Sequence, residues 1–313
     1  MVKTKQPSHH EETLDEPVAA VPVRARMRSL FQPGLLAAVM LLIAAISFGP
    51  RLMKSLPDLS GLEEFRLPAR EIEVTPPPHW VPHDLIEQVL AQSQLPDELS
   101  LLDKGLTARI AEAFQHHPWV EEVVRVTKST PAQVKVELTY RQPAAMVQVK
   151  QGLYPVDRLG VLLPPGDFSP AEARRYPLIV NAATPPQGSV GTSWGDVAVT
   201  GAAQIAAALN MHWKDFGIDY IEIPPVATAR PTIDELVYHL HTTGGSRIIW
   251  GRAPENSHPG ELTAAQKIGR MEEYVTRFGG FDQPHGPYEI DIRHLQLISR
   301  KPLAEVPAPA SRR

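Results

Sequence analysis

His239 and His241 stand two apart in a stretch that alternates like a strand. Both rings then point to one side, where two imidazoles can share a metal ion. Spacing supplies no third ligand, and exposed polar residues explain the pair as well. His9 and His10 adjoin Glu11 and Glu12, but a polar run without periodicity reads as solvated chain. Gly188, Gly191 and Gly195 are spaced glycines, yet prolines and no strand precede them, so they read as a turn and not a phosphate cradle. His116 and His117 close a helix, where imidazolium suits the negative end of the dipole. Asp291, Arg293 and His294 are charged groups without a companion nucleophile, so a salt bridge or partner contact outranks acid–base chemistry. No G-x-S-x-G elbow, H-E-x-x-H or P-loop occurs. With no cysteine, disulfides, thiolate metal sites and cysteine nucleophiles are excluded. The expectation is a binding protein: no enzyme, no cofactor, no metal and no small-molecule substrate.

The elements around these residues are organised by one stretch, Leu30 to Pro50, which carries no charge. As a helix it reaches the roughly 30 Å of a bilayer core once Leu52 and Met53 are added, with Arg28, Arg51 and Lys54 at the interfaces. A membrane anchor is the leading reading. A cleaved signal peptide lacks an evident cleavage site, and a buried soluble helix lacks partners to cover it. Arg24, Arg26 and Arg28 precede the stretch, while Arg51 and Lys54 follow it, so charge alone does not orient it. The larger portion lies behind, which places the amino terminus in the cytoplasm and the rest outside. The chain has 313 residues, so about 260 lie beyond the anchor, enough for two modest domains. A net charge of −4 argues against a nucleic-acid binder.

Met1 to Ser29 is expected to be a disordered tail, residues 51–70 a linker, and the stretch after Leu303 another disordered tail. Ile72 and Val74 alternate in a short strand. A helix is expected from Pro82, with Leu85, Ile86, Val89 and Leu90 buried. A second follows Asp103, with Leu106, Ile110 and Phe114 on one face. Val124 and Val126, then Val134, Val136, Leu138 and Tyr140, alternate around a turn at Pro131, which predicts a hairpin with one buried face. This is a compact α+β unit, strand–helix–helix–strand–strand. Beyond it, short strands run through Val147, Leu153, Ile179, Ile221, His239 and Ile248. Asp196 caps a helix lined by Ala202, Ala206, Leu209 and Trp213, with Gly201 allowing close packing. A long helix buries Ile268, Met271, Val275 and Phe278 and stops at Gly279-Gly280. Tyr288, Ile290 and Ile292 form the last strand.

The junctions His117-Pro118-Trp119-Val120, Pro131 and Arg141-Gln142-Pro143-Ala144 resemble the motif of a POTRA domain in the bacterial cell-division family FtsQ, called DivIB in other lineages. YPVDRLGVLL, YPLIV, IIWG, Gln266-Lys267-Ile268 and EIDIR continue the resemblance in order. It implies an α+β architecture: a single transmembrane helix (30–50), a POTRA domain (71–142) and a β-rich domain with flanking helices (143–303). It implies a bitopic scaffold of the inner membrane that recruits other division proteins, FtsB/FtsL-like coiled-coil subunits among them. The closing strand is expected to be a sheet edge with Tyr288, Ile290, Ile292 and Arg293 at or beside the docking site, a bulge near His294 re-aiming Leu295 and Leu297. A paired inner strand is the competing expectation. Two functions of other classes stay open: a POTRA-bearing component of transport or envelope assembly, and an anchored enzyme.

Overall fold

The computed structural model describes residues 33–54, 62–225, 235–254, 260–294 and 297–303. The expectations for Met1–Ser29, for Leu30 to Gln32, for His9 and His10, for Leu295 and for the tail after Leu303 lie outside these. The chain divides into two compact units at about residue 59.

The first unit contains helix α1, Pro33–Lys54, of 22 residues, which rises about 33 Å. Most of its described side chains are exposed and apolar, including Met40 at 69 %, Leu41 at 72 % and Phe48 at 66 %, with Ser47 the one polar side chain among them. Among the described residues no helix is long and apolar enough to cross a membrane.

The second unit is mixed α+β and holds two hydrophobic cores. The smaller core contains β1 (Arg66–Pro68), β2 (Glu73–Val74), α2 (Leu85–Gln92), β3 (Glu98–Ser100), α3 (Leu106–Gln115), β4 (Val120–Ser129) and β5 (Gln133–Tyr140). β2 runs parallel to β5, and β4 antiparallel, in a three-stranded sheet. Val134, Val136 and Leu138 are buried as their alternation requires. The alternation on β4 holds at Val126, which packs on the core, and fails at Val124. Its register shifts between Val120 and Glu122 and again between Val123 and Arg125. Val123 therefore packs on the core, and Val124 is 55 % exposed. The expected linker also needs correcting. Arg66–Pro68 pairs antiparallel with Glu98–Ser100, and Leu67 and Ala69 are buried, so the fold begins before residue 71. α2 begins at Leu85 and not at Pro82.

The larger core is an eight-stranded sheet ordered β13-β12-β11-β10-β9-β8-β6-β7. Its strands are β6 (Pro143–Val149), β7 (Gly152–Asp157), β8 (Leu178–Val180), β9 (Ile218–Glu222), β10 (Tyr238–Thr242), β11 (Arg247–Gly251), β12 (Tyr288–Asp291) and β13 (Ser299–Pro302). The short α4 (Pro170–Ala173) precedes β8, and two helices, α5 (Val197–Leu209) and α6 (Ala264–Phe278), contribute to the core. The Asp196 carboxylate accepts from the Ala198 amide and caps α5. A Cβ on Gly201 would lie 2.2 Å from the Tyr238 hydroxyl, so α5 packs where only glycine fits. α6 opens with a reciprocal Thr263–Gln266 capping box and ends at Gly279 with φ 82°.

Candidate functional site

The expected docking strand is not an edge. β12 lies between β11, parallel to it, and β13, antiparallel. Its alternation is core alternation: Tyr288 is 7 % exposed, and Ile290 and Ile292 are 0 % exposed. These three side chains build the core and are not available to a partner. Arg293 differs. Its side chain is partly exposed and bonds Asp291 through Nε at 3.0 Å and a terminal nitrogen at 2.7 Å. Burial disfavours the Asp291 charge, but these bonds outweigh it and hold its carboxyl below the usual range.

The true edge is β13, four residues with exposed side chains. Ser-Arg-Lys-Pro carries no alternation, so no period in the sequence marks it as a strand. Arg300 lies on the helix face, its guanidinium 4.6 Å from both the Phe278 and Tyr288 ring centres. Pairing register sets Lys301 opposite Glu289, Glu289 opposite Arg247, and Arg247 opposite His241. Arg247 and Glu289 are bonded to each other. A charge ladder of alternating sign thus crosses the sheet to its open edge.

The two strand histidines join this face. Glu222 on β9 lies between them, its Oε2 2.7 Å from His241 Nε2 and 3.5 Å from His239 Nδ1. Tyr220 stacks on His241 with centroids 4.5 Å apart. Burial, then the Arg247 charge, push His239 below its ordinary pKa. The pair is half-buried and shares a carboxylate, which the expected exposed pair lacked. Among the described residues no group of three or more His, Cys, Asp or Glu can hold a metal ion.

The motif residues gather at the joint between the two cores. Trp119 is 0 % exposed, and its Nε1 donates to Asp167 Oδ2 at 2.7 Å. Phe168 lies 5.9 Å from the Trp119 ring, and Leu163 enters the smaller core. Arg141 donates to Asp157 Oδ2 at 2.7 Å, with side-chain exposures of 13 % and 3 %. Asp157 Oδ1 also accepts from the Leu159 and Val161 amides. Pro118 backs onto Gly191, Val120 is buried, and Pro143 pairs with Asp157 in the β6–β7 register. Pro131 lies apart, in the β4–β5 turn. His117 is buried, accepting from the Trp119 amide and meeting Gln88 Oε1 at 3.2 Å.

In the sequence Lys267 stands out only as part of the Gln266-Lys267-Ile268 motif. It is 2 % exposed, bonds Glu261 Oε1 at 2.6 Å and lies 5.1 Å over the Trp250 ring. Burial pushes its pKa down against the pull of Glu261. Arg252 holds the other Glu261 oxygen at 3.0 Å. The one available signal is a lysine at helical spacing from Met271 and Tyr274, which are also buried. These buried pairs fix the end of β11 to α6. Searches against protein-family models and against curated proteins find no match for this chain.

Proposed function

We propose that this chain is a bitopic membrane scaffold of the cell-division type, similar to FtsQ/DivIB, that binds partners without turning over a substrate. In this reading the charge-free stretch from Leu30 to Pro50 anchors it in the inner membrane, amino terminus in the cytoplasm, and the smaller core is a POTRA domain. The order β2-α2-β3-α3-β4-β5, in which β3 pairs only with β1 outside the three-stranded sheet, and the cluster of Trp119, Arg141 and Pro143 at the joint support that assignment. Anchoring raises the effective concentration of membrane partners.

The observation that carries the binding role is the exposed end of the eight-stranded sheet at β13. An edge strand offers unpaired backbone groups to an added strand. A partner strand placing a carboxylate opposite Lys301 extends the Arg247–Glu289–Lys301 ladder. Its owner, in the cell-division reading, is a coiled-coil subunit of the FtsB/FtsL kind. Arg293 lies against Gly251 at the end of β11 and not at this edge. The test is truncation after Ile298, which removes β13 and leaves the buried β12 in the chain. The shortened protein is expected to fold and insert but to lose its co-purifying division partners. Retention of those partners overturns docking at this edge.

A further inference from the structure

At the opposite end of the strand order from β13, a depression of about 560 Å3 opens over β6, β8 and the start of β9. Its floor is apolar: Leu153 is 43 % exposed, Leu178 half-buried, and Trp213 closes one side. Its rim is cationic. Arg174 and Arg175 come from the segment after α4, and Lys214 from the turn after α5. Arg174 and Lys214 have no ion-pair or side-chain hydrogen-bond partner among the described residues, and Arg175 acts only electrostatically, on Glu172 and Tyr176. Asp219 is the one carboxylate among the lining residues. Gln148 and Thr243 add side-chain hydrogen-bonding groups at the wall.

We propose that this depression docks a linear acidic peptide segment of a partner protein. An aliphatic or aromatic side chain of the segment covers Leu153 and Leu178. Flanking carboxylates meet Arg174 and Arg175 on one side and Lys214 on the other, and Gln148 and Thr243 reach the peptide backbone. The occupant is acidic because the lining sets three cations against one carboxylate, Asp219. It is a chain because the cations come from two separate segments and the wall carries amide and hydroxyl groups that a lipid tail would leave unpaired. This surface is distinct from the β13 edge, and its test rests on the membrane anchor of the scaffold reading but not on the division partners.

The full chain in phosphatidylcholine nanodiscs is panned against a random linear-peptide library. Enriched sequences are expected to hold Asp or Glu around Leu or Phe. A synthetic peptide of that kind should bind about tenfold more weakly to Arg174→Glu/Lys214→Glu at low salt, the gap closing as salt rises. Leu153→Asp should weaken it at every salt concentration. All three side chains are at least partly exposed, so an unchanged melt checks that the variants fold. Absence of acidic enrichment, or equal binding to the charge-reversed variant, overturns the proposal. So does tighter binding of soluble short-chain phosphatidylglycerol than of the peptide, lost when Arg174 and Lys214 are reversed, because the occupant is then a lipid headgroup.

Discussion

Asp157→Asn separates the joint's charge from its shape. Asparagine keeps the volume and keeps an oxygen for the Leu159 and Val161 amides, which now bond Oδ1. What it removes is the negative charge 2.7 Å from Arg141. That guanidinium is 13 % exposed at its side chain, and its Nε has no hydrogen-bond partner among the described residues. Stranding a buried charge costs about 3–5 kcal/mol. The amide nitrogen that replaces Oδ2 faces Arg141 donor to donor, while the guanidinium, 13 % exposed, keeps some access to water, so the expected loss is about 3 kcal/mol. For a unit of this size that lowers the melting temperature by about 5–10 °C. The assay is urea unfolding of residues 60–313, the compact second unit, followed by tryptophan fluorescence and by far-ultraviolet circular dichroism. Adding Arg141→Met should recover part of the loss, since no unpaired charge then remains. A loss below about 0.5 kcal/mol, or no recovery in the double variant, refutes the ion pair as the clamp between the cores.

His117 predicts a pH dependence. Burial is the largest influence and lowers its pKa from 6.5, while Asp167 and Asp84 pull the other way. The unfolded chain takes up the proton first, so this stability is complete above the unfolded pKa and is lost as pH falls through the lower, folded one. Between about pH 7.5 and pH 5 the wild-type melting temperature should fall more steeply than that of His117→Gln. Val136→Asp puts a carboxylate at a 0 % exposed position and should cost about 4 kcal/mol or more, read as loss of the cooperative melt. A periplasm-active reporter fused after Leu303 should be active and a cytoplasm-active one silent; the reverse pattern overturns the proposed topology.

Local pattern was legible wherever one element buries one face. The period of two placed Val134, Val136 and Leu138 inside, and Asp196, Gly201 and Gly279 were read in their roles of cap, close contact and stop. At Val124 on β4 the same rule failed, because two register shifts turn that side chain outward while the sequence goes on alternating. The candidate site was less legible. Tyr288, Ile290 and Ile292 alternate whether their strand is interior or edge, since a period of two reports a shared face and says nothing of which strand lies alongside.

By itself, then, the sequence determined the local elements, a charge-free apolar stretch and the lack of thiol chemistry, because each depends on neighbours a few residues apart. Tertiary structure decided what depends on pairing over long separations. It set β12 inside β13, put Glu222 between two histidines, drew Leu163 into the smaller core, and brought Asp157 to Arg141 and Asp167 to Trp119. Those partners come from other strands and loops, and no spacing along the chain encodes the pairing that makes them neighbours.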